Sequence, residues 1–138
     1  MAFLRTLATA LLMLVPSWAT AQVNNPAGSW RCIVNSEVVT IDVQMVVAPN
    51  QQLQFQGSIL YLHTGRAFNV WGPGRWLLSP PDQAYPAGLF RFQMQPSGGN
   101  HAIFSMFAAP TGDPRFLGNQ FFNPQTGTTT NTRCQRLG

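Results

Sequence analysis

Two cysteines, two histidines and four carboxylates are the main side chains here that could form a covalent bond, hold a metal or move a proton. Cys32 and Cys134 stand 102 positions apart. In an oxidising compartment two cysteines have one intramolecular pairing, and a bonded pair offers no thiolate for nucleophilic chemistry. His63 and His101 fall at a strand end and a turn exit, without an evident third ligand for a metal. Asp42 points to the polar side of an alternating stretch, and Asp82 and Asp113 lie beside prolines, where aspartate forms turns; Glu37 completes the set. No His-Glu-x-x-His, Gly-x-Ser-x-Gly or phosphate-loop spacing occurs. The expectation is a protein that is not an enzyme, with no metal and no cofactor.

The aromatic supply is more suggestive. Phe55, Tyr61, Trp71, Trp76, Phe90, Phe92, Phe104 and Met106 crowd the middle of the chain, and we take them as the candidate lining of a cavity for an apolar molecule. The same residues would also fill a small barrel as ordinary core. Charge argues against nucleic acid. All eight basic residues are arginines, scattered rather than clustered, and the net charge is only +4.

The elements that must position these residues follow from the pattern. Residues 1–21 have the layout of a cleaved secretory signal: Arg5, an apolar run to Val15, Pro16, then the small-x-small site Ala19-Thr20-Ala21. That run is shorter than the ~20 apolar residues of a spanning helix. The mature protein is therefore expected to be periplasmic or extracellular and not membrane-spanning. Residues 22–27 read as a flexible tail and residues 28–138 as one domain. In residues 37–47, Val39, Ile41, Val43, Met45 and Val47 alternate with polar positions. In 52–61, Leu53, Phe55, Ile59 and Tyr61 do the same. Shorter strands are predicted over 67–71 and 75–79, separated by Gly72-Pro73-Gly74, and further strands over 89–95, 101–108, 116–122 and 128–136. Turn signals roughly every ten residues make the fold all-β, with about eight short strands.

If the cysteines pair directly across antiparallel first and last strands, Trp30 must face Arg136. The indole, the disulfide and the guanidinium then share one side of the sheet. Neighbouring first and last strands close an up-and-down barrel, which removes exposed sheet edges. A β-sandwich or half-open roll is the alternative, with the disulfide tethering two tails.

Gly28-Ser29-Trp30 on the first strand and Arg136 near the C-terminus resemble the lipocalin/calycin pattern. In that superfamily a Gly-x-Trp motif opens strand A and a late arginine covers the ring; Arg133 competes for that role here, and Gly74-Arg75-Trp76 repeats the motif. The resemblance implies a calycin-like barrel. The layout is also similar to small secreted bacterial inhibitors of metalloproteases. The expected function is binding of a small apolar ligand by a monomeric, exported barrel. The alternative is a protein-interaction module or protease inhibitor that meets an envelope or extracellular protein through its loops or N-terminal tail.

Overall fold

The computed structural model describes residues 25–97 and 101–138. The expected signal peptide and the start of the tail lie outside these residues. Eight strands follow in order: β1 Gly28–Asn35, β2 Val39–Val47, β3 Gln52–Tyr61, β4 Arg66–Ser79, β5 Leu89–Met94, β6 Phe104–Pro110, β7 Phe116–Asn123 and β8 Thr128–Leu137. Each pairs antiparallel with the next, and β8 returns to β1, so the sheet closes into a barrel. The sandwich alternative is thereby set aside.

Closure runs through the disulfide. Cys32 faces Cys134, with Cα atoms 4.0 Å apart, and Trp30 faces Arg136 in the same register. All three apolar members of this row are fully buried, because the face they share points into the barrel. The two-residue period then sets the interior all the way round. Val43 and Met45, Phe55 and Ile59, Val70 and Trp76, Phe90 and Phe92, Met106, Leu117 and Cys134 all point inward. These side chains pack on one another along the axis: the Trp76 and Phe90 rings are 6.0 Å apart, and so are those of Phe90 and Phe92.

Both ends are stopped. At the end where β1 starts, Trp30 donates its indole N–H to the Pro26 carbonyl at 2.7 Å, and Trp76 donates to the Ala48 carbonyl at 2.7 Å. The Arg136 guanidinium lies 4.3 Å from the Trp30 ring centre and donates to the carbonyls of Ala27 and Pro114. Gly28 sits beneath that guanidinium at φ +129°, and a Cβ there would come within 2.5 Å of Arg136 Nη1. Glycine at the head of the Gly-x-Trp motif is thus favoured by its backbone, and a side chain there would also displace the guanidinium. At the opposite end, Tyr61, Phe68, His101 and Phe104 form one aromatic cluster with ring centres about 6 Å apart.

Three sequence expectations need correction. The strands predicted on either side of Gly72-Pro73-Gly74 are a single strand, β4. The backbone just after β5 runs so close that a Cβ at Gly72 would meet the Gln95 carbonyl at 2.6 Å, while Pro73 still offers its carbonyl to Gln95 N–H. Proline without an N–H is therefore tolerated inside this ladder. The strand expected at 101–108 begins only at Phe104, because His101 turns its ring onto Tyr61. Of the flexible tail, residues 25–27 are fixed to the barrel: Pro26 is fully buried under Trp30, and Ala27 is held by Arg136.

Candidate functional site

Seven of the eight predicted cavity-lining residues share the barrel's inner side, but the space between them is occupied. Phe90, Phe92, Met106, Phe55 and Trp76 are buried at 6% exposure or less and belong to one packed core. Phe104 packs edge-on against Phe55 at 5.9 Å, and Tyr61 sits in the end cluster. Trp71 is the exception. It stands 51% exposed on the outer wall, because Val70 takes the inward position in β4. The Gly-Pro-Gly segment had hidden which residues of this strand share a face.

An apolar space lies instead in the wall. Strands β6 and β7 pair only at Ala109↔Gly118 and Pro110↔Leu117. Continued in that register, residues 104–108 would face 119–123, yet no such pairs form. Each of these strands keeps its other neighbour: β6 pairs along β5, and β7 pairs along the whole of β8. The result is a lateral seam with alternate backbone N–H and C=O groups of both edges directed into the gap.

A groove of about 460 Å³ occupies this seam. From the inner side it is lined by Val34, Met106, Asn119 and Thr132, and from the outer side by Tyr85, Leu89 and Phe107. Phe121, which is 57% exposed, stands at its mouth. Local sequence explains each part. Leu117 and Asn119 follow the inward parity of β7, so the amide of Asn119 comes into the groove one step beyond the core. The loop before β5 carries Pro80, Pro81 and Pro86 and cannot join the ladder, which leaves Tyr85 free to lie beside Leu89. Among the lining residues no group is charged at neutral pH.

The polar groups that could do chemistry are dispersed. His63 lies exposed in the β3–β4 turn. His101 Nε2 and the Tyr61 hydroxyl are hydrogen-bonded at 2.6 Å, and Nδ1 donates at 2.9 Å to the Ala102 carbonyl, which can only accept. These bonds make His101 a latch on the barrel end. Asp42 is bound by Arg31 at 2.8 and 3.1 Å, and Asp113 by Arg115 at 2.9 and 3.1 Å. The hydrogen bonds from these arginines hold both carboxyl groups below the usual carboxylate range. Among the described residues, no three of His, Cys, Asp and Glu gather into a metal-binding group.

Sequence reasoning missed the seam and its residues Tyr85, Leu89 and Phe121. The available signal was the unusual exposure demanded of Phe121-Phe122 at the end of a strand, where an alternating pattern breaks. No protein-family model matches the chain, and no curated protein is significantly similar to it. The functional reading therefore rests on geometry.

Proposed function

We propose that this protein is an exported, calycin-like barrel that binds a small apolar ligand in the lateral groove between β6 and β7. One observation carries the reading: a groove of about 460 Å³ with an apolar, uncharged lining, at the one seam where the ladder is nearly absent. Its size falls in the range of small-molecule sites, about 300–1,000 Å³. The ligand lies against Met106, Val34 and Leu89, and its polar atoms meet Asn119, Thr132 and the unpaired backbone edges. The filled centre excludes a deep calyx, so ligand enters through the wall and leaves the core undisturbed. The disulfide and the leader-like N-terminus support export.

Native mass spectrometry of protein purified from its host tests the reading directly, with a retained small molecule as the expected result. A neutral fluorescent probe, N-phenyl-1-naphthylamine, gives a second readout. Phe107→Asp and Phe121→Asp, both at exposed positions, should weaken probe binding several-fold. Val46→Asp on a distant part of the outer wall should not. Equal binding by all of these variants would reject the groove. Capture of an envelope protein by a barrel that binds no probe would favour the protein-interaction alternative.

A further inference from the structure

Trp71, half exposed on the outer wall, occupies a surface with a composition of its own. Straight across the sheet from it stand Gln56 on β3, Gln44 on β2 and Arg31 on β1. The next row of the same outer face carries Asn69, Ser58 and Asp42. Two shallow grooves, about 510 and 530 Å³, flank the indole and share Gln44 and Gln56. The first reaches Arg31, Asp42, Ser58 and Asn69; the second reaches Ser29, Gln54 and Ser97. An exposed tryptophan thus stands between two depressions that share two carboxamides, the second of them also lined by Val46 and Leu137.

We propose that this face of β1–β4 binds a neutral saccharide chain, with one sugar ring stacked on Trp71 and its neighbours in the flanking grooves. A pyranose presents an apolar C–H face to an aromatic plane and a rim of hydroxyls that each donate and accept. Carboxamides answer that rim with both functions on one planar group, and Gln44, Gln54, Gln56 and Asn69 provide four. The two grooves lie on either side of the Trp71–Gln56–Gln44 row, so a chain that crosses the indole from one groove to the other runs along the strands and passes these carboxamides. Charge selects the ligand further. Among the described residues the ion pair on the face, Arg31–Asp42, is closed on itself at 2.8 Å, and the exposed Arg75 further along β4 adds one positive charge, too little to hold an anionic polymer by charge alone. Trp71 shares the second groove with the exposed Val46 and Leu137, so the apolar surface is three side chains wide and bordered by carboxamides and hydroxyls. The site shares no residue with the β6–β7 groove, so it stands or falls independently of the proposed function.

In protein from which the leader-like residues 1–21, with Trp18, have been removed, Trp71 reports on its own site, because Trp30 and Trp76 are buried. The protein is titrated with cellohexaose, chitohexaose and maltohexaose, followed by tryptophan emission and by calorimetry, and screened on an array of neutral α- and β-linked oligosaccharides. At least one neutral class should give a saturable change in emission. Trp71→Ala should weaken its binding by about ten-fold or more, with Trp71→Tyr largely retaining it and Gln56→Ala intermediate. Position 71 is half exposed, so unchanged thermal unfolding of the variants confirms that the fold is intact. The proposal is overturned if no neutral oligosaccharide binds at millimolar concentration. It is equally overturned if binding survives Trp71→Ala, or if only heparin binds and salt removes it.

Discussion

Arg136 shows how much a single side chain can be asked to do in a domain this small. It lies over Trp30, donates to Ala27 and Pro114, and would be displaced by a side chain at residue 28. Arg133 faces outward instead, 5.3 Å from the exposed side of Phe116. Arg136→Ala should therefore lower stability by about 1–3 kcal/mol, against about 0.5 kcal/mol or less for Arg133→Ala; urea denaturation separates the two. Cys134→Ser should cost about 2–5 kcal/mol, since the bond closes most of the chain into one loop. A third residue decides whether the interior is core or cavity. Phe92 is fully buried among its neighbours, so Phe92→Ala should cost about 3–5 kcal/mol, and a residue lining an open calyx would cost far less. Acid acts weakly by comparison. Arg31 depresses the Asp42 carboxyl in the folded state, so this pair stabilises the fold above the carboxylate range and loses its effect as pH falls through the folded value. Both side chains are well exposed, and the shift in urea midpoint on the acid side of about pH 4 should be small. The pairing of Trp30 with Arg136 was legible in the sequence because one disulfide fixes a register and the two-residue period does the rest. The facing of Trp71 was not, because Gly72-Pro73-Gly74 masks the parity of β4.

Strands differ in how completely they are held. β1 pairs along its length with both β2 and β8, whereas β6 meets β7 at two positions only. Amide exchange should reflect that asymmetry. Backbone amides of β1 and of β8 around Cys134 should be the most protected, and those of 104–108 and 119–123 that face the seam should exchange fastest within strands. Uniform protection around the barrel would mean that the ladder is continuous. β4 makes the opposite point. Its glycines allow β5 to approach, so Gly72→Val should destabilise the fold through contact with the Gln95 and Ser97 backbones. Strand order and most strand ends could be read from alternation, since a half-buried antiparallel sheet repeats its pattern on every strand. Where two strands part is another matter. It depends on how many residues each neighbour contributes before the turn, and no local pattern records that.

As a whole, the molecule is a closed barrel stopped at both ends, by Trp30 and Trp76 at one and by the Tyr61–His101 cluster at the other. The aromatic richness that suggested a cavity is largely consumed in filling it. The apolar groove thereby lies in the wall and not on the axis, and the outer face of β1–β4 is left as a separate surface. Composition could give the quantity of aromatic side chains; only closure of the sheet decides which of them meet each other and which meet solvent. The core is filled, and we propose the β6–β7 groove as the apolar site. Chemical-shift mapping of the isotopically labelled protein on addition of N-phenyl-1-naphthylamine tests it most directly. Shifts confined to Val34, Leu89, Met106, Asn119 and Phe121, with Val43, Ile59 and Met94 unmoved, are the predicted result. Shifts centred on Val43, Phe90, Phe92 and Met94 would place the ligand inside the barrel and contradict it.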